Sequence, residues 1–479
     1  MKKTGSIIAG GIAALLIVVW IVLTMVLGSG YEDQFKKSLG EARNIGGGSI
    51  SGLQAESFEK GFASSTAKSK VVVGAPGETG SLELVLDHKI SHGPILFTSD
   101  GIKFGTSYTK TTIDTDALPP GVKKYFERGF MGEEPLKIAL TTGFSSASTE
   151  MEIAPYKYKI VNQAGVEGDL EFRGLKGKLD AGSGKIEIGT LKLKADDGTE
   201  FQMRESELAL NDQKFSDGIA TEGEMVFTCP NILVRTAEGA TFRIKDLETR
   251  QISSVEDGKL VSRQNLSAGG LTMPAGEAFE PFQALVSKGL EGEFRVDKLD
   301  LKALETFSAE AKKMQQAQAM AGDNPEVAMA ALADYMKALV GLVTPGLEFV
   351  INLQMDGEHG RSKMDFETSW VAGKPLLEMS TVKKAITGIK ANLEMELPAE
   401  LASDEAFAPL LQSWVEQKMV VVDESGITSQ ISINNSSLLM NGETAPLFDM
   451  LGETADMELN WDELFNPGAE KPLLFDVNE

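Results

Sequence analysis

Residues 82–90 have the sequence LELVLDHKI, in which apolar and polar side chains alternate along the chain. Leu84 and Leu86 fall on one side of an extended backbone, and Glu83 and Asp87 fall on the other. A period of two is typical of a β-strand with one buried face and one wet face, which is the habit of antiparallel sheets. This stretch therefore predicts an antiparallel β fold for the region around it.

The same alternation extends in both directions, from about residue 50 to residue 297. Phe201 with Met203, and Phe242 with Ile244, lie in two segments that resemble each other at an offset of 41 residues. Each segment has an acidic residue and a glycine between two apolar pairs, which is typical of a hairpin. We therefore predict a β-rich domain over residues 51–300 with a weak repeat of about 41 residues.

The period changes beyond residue 300, where residues 301–345 are predicted to be helical. Residues 301–320 are rich in Ala, Leu, Glu, Lys, Gln and Met, which favour helices. Pro325 after Asn324 is a typical start of a second helix. Met329 and Met336 belong to an apolar stripe on that helix, which is either core or the wall of an apolar groove.

Strands return in residues 346–479, which are predicted to form an α+β C-terminal domain. Residues 347–355 and 364–370 alternate on either side of a glycine-containing turn and predict a hairpin. The predicted fold class is thus α+β and predominantly antiparallel β. We expect a long meandering sheet with the mid-chain helical segment packed on it, because a sheet's apolar face must be covered.

An uncharged apolar stretch occupies residues 7–27. At about 1.5 Å per residue it reaches roughly 31 Å, the thickness of a bilayer's hydrocarbon core. Two lysines precede the stretch, at positions 2 and 3, and two acids follow it, at positions 32 and 33. Because positive charge stays cytoplasmic, the rest of the chain is predicted to lie outside the bilayer.

Residues 1–30 are therefore predicted to be a transmembrane signal anchor, followed by a juxtamembrane linker over residues 31–50. The alternative is a cleaved signal peptide, because Gly28-Ser29-Gly30 offers small residues to a peptidase. The apolar stretch is longer than the roughly 7–15 residues of a signal peptide, which favours the anchor.

The charge balance argues against several partners. Two of the 46 basic side chains and none of the 70 acidic ones lie in residues 1–30, so the remainder carries 44 basic and 70 acidic groups, a net charge of −26. Nucleic acid would be repelled, and attachment to anionic lipid through a basic patch is not supported. The expected partners are the bilayer, which residues 7–27 would contact, and either an envelope protein or a lipid. Assembly into a homo-oligomer is a further alternative.

The residues of catalytic and metal chemistry are scarce in this chain. Cys229 is the only cysteine, and its apolar surroundings predict a small buried side chain. His88 and His92 would stand about 13 Å apart on a strand, too far to bind one ion. His92 before Gly93-Pro94 is predicted to be structural, and His359 lies in a turn. No nucleophile elbow, P-loop or dinucleotide motif occurs, so we expect neither a cofactor nor an enzyme.

Three short motifs carry a resemblance to a known family. Residues 58–65, FEKGFASS, 86–94, LDHKISHGP, and 439–442, LMNG, occur in an order and at a spacing similar to those of the YdgA-like bacterial proteins. That resemblance implies a Gram-negative inner-membrane protein with a periplasmic domain and, because the family is of unknown function, no active site. The motif residues are Phe58 (where Tyr is usual), Gly61, Phe62, Ser64, His92, Gly93, Pro94, Asn441 and Gly442.

Three functions remain open from the sequence. The first is a membrane-anchored periplasmic protein without a catalytic site that binds a partner or helps to maintain the envelope. The second is a lipid- or lipoprotein-handling domain in which curved strands present an apolar groove. The third is a periplasmic hydrolase that works through carboxylates, for which 70 acidic side chains give no specific signal.

Overall fold

The structure is a computed structural model that describes residues 50–61, 64–73, 82–98, 101–161, 167–216, 219–274, 280–321, 325–405, 407–434 and 437–465. Contacts divide the chain into two compact units. Unit 1 comprises Met1–Ser253 and Asn265–Glu291, and unit 2 comprises Ser254–Gln264 and Gly292–Glu479. The predicted anchor, residues 1–30, and residues 31–49 of the predicted linker lie outside the described residues, whereas Ile50 begins the first strand. Within those residues, no helix has both the length and the apolar character needed to cross a bilayer.

The strands confirm the predicted predominance of antiparallel β structure. Those of unit 1 are β1 (Ile50–Lys60), β2 (Ser64–Val73), β3 (Leu82–His92), β4 (Ile95–Thr98), β5 (Gly101–Phe104), β6 (Ser107–Ile113), β7 (Leu136–Thr142), β8 (Ala147–Ile153), β9 (Tyr156–Val161), β10 (Glu167–Phe172), β11 (Leu175–Asp180), β12 (Ser183–Ile188), β13 (Leu191–Ala195), β14 (Glu200–Met203), β15 (Ser206–Ser216), β16 (Ile219–Arg235) and β19 (Gly270–Thr272). Two further strands, β17 (Thr241–Glu256) and β18 (Lys259–Ala268), contain residues of both units. Two α-helices, α1 (Pro120–Gly129) and α2 (Glu280–Val286), belong to unit 1.

Unit 1 contains two antiparallel series of strands that meet at β16. One series runs β1–β2–β3–β6–β7–β8–β11–β12–β15–β16, and the other runs β9–β10–β13–β14–β16–β17–β19. The 17-residue β16 is long enough to pair with β15 over its first part and with β14 over its last four residues. It therefore joins the two series.

Buried side chains from both series form a single core in unit 1. Ile138 and Met151 come from the first series, and Phe172 comes from the second. Helix α1 covers this core, and the chain just beyond it places Phe130 with its ring centroid 4.8 Å from that of Tyr156. The helix is amphipathic and begins at a proline, which is the position that a helix N-terminus favours.

The repeat seen in the sequence forms two hairpins of unit 1. Its first copy is β13–β14, and its second is the end of β16 with the start of β17. Gly198 and Gly239 have φ angles of +93° and +87° in the two turns, a conformation that glycine adopts without a steric penalty. Because the copies adopt the same strand–turn–strand geometry, apolar pairs 41 residues apart occupy equivalent places.

Unit 2 combines a smaller antiparallel sheet with most of the helices. Its main pairing runs β21–β22–β23–β25, with β24 and the β26–β27 hairpin also on β25. The strands are β20 (Gly289–Asp300, beginning in unit 1), β21 (Glu348–Gly357), β22 (Gly360–Trp370), β23 (Ile389–Leu397), β24 (Val421–Asp423), β25 (Gly426–Asn434), β26 (Ser437–Met440) and β27 (Glu443–Pro446). The helices are α3 (Leu301–Ala321), α4 (Pro325–Gly341), α5 (Val382–Thr387), α6 (Ala408–Glu416), α7 (Leu447–Leu451) and α8 (Trp461–Phe465). Short 3₁₀ turns lie at Thr115–Ala117 in unit 1 and at Leu376–Glu378, Ala399–Ser403 and Gly452–Asp456 in unit 2.

The two mid-chain helices lie within the segment that was predicted to be helical. Phe307 of α3 and Tyr335 of α4 place their ring centroids 5.2 Å apart, so the helices pack against each other. The N-H of Leu376 donates to the carbonyl of Val343, which ties the end of α4 to the 3₁₀ turn at Leu376–Glu378. Met336 is half-buried on α4, and Met329 is 48% exposed.

Candidate functional site

The first two family-like motifs meet at one end of the sheet in unit 1. The pairing of β2 with β3 places Ser64 opposite Ser91, and the Ser65 hydroxyl lies 2.8 Å from Nε2 of His92. Gly61 follows β1 directly, and a Cβ at this position would lie 2.1 Å from the carbonyl oxygen of Ser64. Glycine is therefore required by the close approach of the backbone in this turn.

Among the other motif residues, Phe58 lies on a strand, and Asn441 and Gly442 lie in a turn. Phe58 is half-buried on β1 opposite Ala67, whereas Phe62 lies outside the described residues. In unit 2, Asn441 and Gly442 have φ angles of +49° and +86° and form the two-residue turn between β26 and β27. Such a turn demands positive φ at both positions, which explains the Asn-Gly pair. The Asn441 side chain also donates to the Lys418 carbonyl at 2.8 Å.

The two other histidines and the cysteine have ordinary structural partners. His88 is 3% exposed, with its ring nitrogens 2.7 Å from the Ser69 hydroxyl and 2.9 Å from the Thr111 hydroxyl. Burial lowers the pKa of His88 to about 4, because a charged ring is poorly solvated there. His359 lies 3.0 Å from a carboxylate oxygen of Asp404. Cys229 is buried, as predicted.

The residues that follow His92 form an exposed apolar hairpin. Gly93, at φ +115°, turns the chain out of β3, and β4 and β5 pair to form a separate two-stranded sheet. The underside is anchored by Leu96, which is fully buried. The opposite side, called the hairpin face below, carries four large apolar side chains of which between 48% and 73% is exposed: Ile95, Phe97, Ile102 and Phe104.

The strand register brings these four side chains together. Ile95 pairs with Phe104, and Phe97 pairs with Ile102, so each aromatic ring lies across from an aliphatic side chain. The sequence-based prediction did not include this hairpin. The signal that would have found it is an Asp-Gly pair between the apolar run Ile95-Leu96-Phe97 and the alternating Ile102-Lys103-Phe104.

A second apolar surface runs across the strands of unit 1. Leu193, Phe201, Val234 and Phe242 are successive cross-strand neighbours on β13, β14, β16 and β17. A parallel row lies two residues along each strand. Together the two rows make the surface called the apolar lane below: Leu191, Leu193, Phe201, Met203, Ile232, Val234, Phe242, Ile244 and Leu271.

The apolar lane is only partly covered, whereas the strand next to it is buried. The rows continue onto β10, where Leu170 and Phe172 are at most 6% exposed and belong to the core. The lane residues themselves are half-buried, and Val234 is 37% exposed. The repeat in the sequence includes Phe201, Met203, Phe242 and Ile244 of this surface. Their common row could not be predicted, because cross-strand neighbours cannot be paired from alternation alone.

Charged side chains of unit 1 form ion-pair ladders rather than a converging acid–base pair. A depression of about 540 Å³ is lined by Lys176, Lys178, Glu150 and Glu152 among other residues. Each of these carboxylates has a lysine nitrogen within 3.5 Å, as expected for cross-strand pairs on a wet face. Burial raises the pKa of the Glu134 carboxyl, and the nearby Lys137 opposes this effect.

A second depression, of about 700 Å³, lies in unit 2 beside α4. It is lined by Lys337 of that helix and by Ser380, Lys384 and Trp461, with Met329 and Met336 absent from the lining. Among the described residues, no group of three or more His, Cys, Asp and Glu side chains is placed to bind a metal ion.

Comparison with known proteins gives one match. A family model described as "Bacterial protein of unknown function (DUF945)" matches residues 1–448. No curated protein and no solved structure matches the chain.

Proposed function

Since the chain belongs to the DUF945 family of bacterial proteins of unknown function, we propose a function from its own geometry: a membrane-tethered binding protein of the bacterial envelope, whose ligand is an acyl chain of a lipid. The tether is the apolar stretch at residues 7–27, and the binding surface is the apolar lane. The observation that carries this proposal is the incomplete cover of nine apolar side chains in two continuous rows.

The dimensions of the apolar lane suit one acyl chain. The lane crosses β13, β14, β16, β17 and β19, which at about 4.8 Å per strand gap spans roughly 19 Å. Each leaflet of a bilayer contributes about 15 Å of hydrocarbon. The lane side chains carry no hydrogen-bonding group, so a ligand with polar groups along its length would leave them unpaired at a cost of about 1–3 kcal/mol each.

The proposal predicts that a lipid contacts Val234. A photoreactive benzoyl-phenylalanine placed at position 234 of the full chain in bacterial cells should form adducts whose mass corresponds to a phospholipid. The matched control is position 252, because Ile252 lies on the adjacent strand β17, outside the lane, and is 43% exposed compared with 37% for Val234. The adduct yield at position 234 should exceed that at position 252 by about tenfold, the ratio that 1.4 kcal/mol of preferential binding gives.

Equal yields at the two positions, or protein adducts without lipid at position 234, would exclude the lane as a lipid site. A protein adduct there would instead support the alternative in which the same tethered chain binds an envelope protein. A carboxylate-dependent hydrolase has less support, because Glu150 and Glu152 of the depression in unit 1 are paired with lysines.

The tether makes a separate prediction. Replacing two residues in the middle of the stretch by lysine, Ala14→Lys with Leu15→Lys, should release the chain from the membrane. Each central lysine raises the free energy of membrane insertion by about 2.5–3.5 kcal/mol. The unmodified chain should resist alkaline extraction of membranes, and alkaline phosphatase fused to its C-terminus should be active outside the cytoplasm. Leu15→Ile is the control and should stay membrane-bound. A soluble wild-type chain with a new N-terminus near Tyr31 would disprove the anchor.

A further inference from the structure

The hairpin face of unit 1 is a large apolar surface for a water-soluble domain. Phe144, 70% exposed, follows Gly143, whose Cα would lie 3.2 Å from a Cβ on Gly105, so another exposed ring belongs to the loop beside the base of the hairpin. At about 200 Å² per large side chain, the five exposed groups offer roughly 600 Å². The largest apolar patch of a typical monomer is about 300–600 Å² and is often functional.

The chemistry of this surface fits the bilayer interface. Its side chains are Phe and Ile, without the Trp, Tyr and Arg that dominate protein–protein hot spots. Lys103 pairs with Leu96 and therefore lies on the other side of the hairpin, with its ammonium 4.7 Å from the centroid of the Tyr108 ring. The sequence between the two strands contains Asp100. At the same end of the sheet, Lys60 closes β1. A face made of Phe and Ile side chains matches the acyl chains of lipids rather than their charged headgroups.

A second copy of the chain is a poorer occupant. Two hairpin faces stacked on each other would bury about 1,200 Å² in total, which is the lower limit for a specific interface.

The predicted tether keeps the hairpin within reach of the bilayer. The hairpin lies at the end of β1 away from Ile50, because β3 ends at His92 opposite the start of β2. The 11 residues of β1 span roughly 37 Å, and the 22 residues 28–49 can span at most about 75 Å. A tethered surface meets the membrane at a high effective concentration, so weak insertion is enough.

We propose that the hairpin face inserts into the interface of the membrane that holds the tether, as a second membrane contact of unit 1. This inference rests on the proposed tethered function. Insertion of the hairpin face would determine which side of unit 1 faces the membrane.

The test places an environment-sensitive NBD fluorophore on Ile102→Cys in the full chain with Cys229→Ser. The matched control is Met450→Cys, since Ile102 and Met450 are both 64% exposed and Met450 lies in unit 2. The chains are reconstituted in vesicles of equal parts phosphatidylethanolamine and phosphatidylglycerol that contain a lipid with a nitroxide at a shallow acyl position. Insertion by about 5–10 Å should quench the label at position 102 at least about threefold more than the label at position 450.

The outcomes separate the hairpin from the tether. Equal quenching at both positions in a chain that floats with the vesicles overturns the inference and leaves the tether intact. Energy transfer between copies labelled at position 102, without quenching by the nitroxide, would overturn the inference and show that the hairpin face contacts a second copy of the chain. A chain that does not float with the vesicles contradicts both the tether and the inserted hairpin. A label at Phe97→Cys should be quenched to the same extent as the label at Ile102→Cys. Agreement between the two variants would show that the result does not come from the misfolding of one of them.

Discussion

Replacing Phe130 by alanine is expected to lower the free energy of unfolding of unit 1 by about 3–5 kcal/mol. Phe130 is 2% exposed, and its ring lies between those of Phe126 and Tyr156, at centroid distances of 5.5 and 4.8 Å. The shorter side chain would leave a cavity under α1, and the surrounding strands are too constrained to fill it. Urea denaturation of the full chain, followed by the far-ultraviolet circular dichroism of the strands, measures the change.

Phe97→Ala is the matched control for this substitution. It removes the same atoms from a ring that is 73% exposed, so the free energy of unfolding should change by no more than about 0.5 kcal/mol. If both variants lost the same stability, the hairpin face would be part of a packed core rather than a surface. The pair of variants thus separates the folding role of aromatic side chains in unit 1 from their binding role.

The stability of unit 1 is also expected to fall between about pH 6.5 and pH 4 because of His88. Its pKa is 6.5 in the unfolded chain and about 4 in the folded protein, so the unfolded state binds the proton first as the pH falls. Stability from this group is therefore present above pH 6.5 and is lost progressively towards pH 4. At about 1.4 kcal/mol per pH unit, the loss approaches roughly 3 kcal/mol.

His88→Gln isolates this effect, because the amide can bond the Ser69 and Thr111 hydroxyls but does not titrate. The variant should be less stable at pH 7, and its free energy of unfolding should fall less steeply than that of the wild type between pH 6.5 and pH 4. The many carboxylates contribute to the slope of both proteins, so the difference between the two curves reports the histidine. Parallel curves would show that His88 binds a proton equally readily in the folded and unfolded states.

Unit 1 presents two apolar surfaces with different exposure. The hairpin face protrudes on a two-stranded sheet, which suits contact with a bilayer, whereas the apolar lane lies flat across paired strands and merges with the core at β10. The two proposals use both surfaces: the apolar lane would bind a lipid while the hairpin face rests on the membrane. The photoreactive residue at position 234 and the fluorophore at position 102 test the two surfaces independently.

Local sequence patterns sufficed for much of the secondary structure. Alternation around Leu84 and Leu86 identified β3, the composition of residues 301–320 identified α3, and Pro325 marked the start of α4. Each of these signals depends on the next few residues along the chain, because side-chain direction in strands and helices repeats every 2 or every 3.6 residues. The apolar character of Cys229's surroundings likewise predicted its burial.

Long-range pairing determined the surfaces to which a function can be assigned. Alternation predicts that Phe201 and Phe242 each lie on the apolar face of a strand. They lie in one row because β16 pairs with both β14 and β17. The exposure of Phe97 and the burial of Phe130 also differ for a tertiary reason, since one ring stands on an uncovered hairpin and the other beneath α1. Burial is a property of what packs against a residue from elsewhere in the chain, and periodicity along the chain carries no information about that partner.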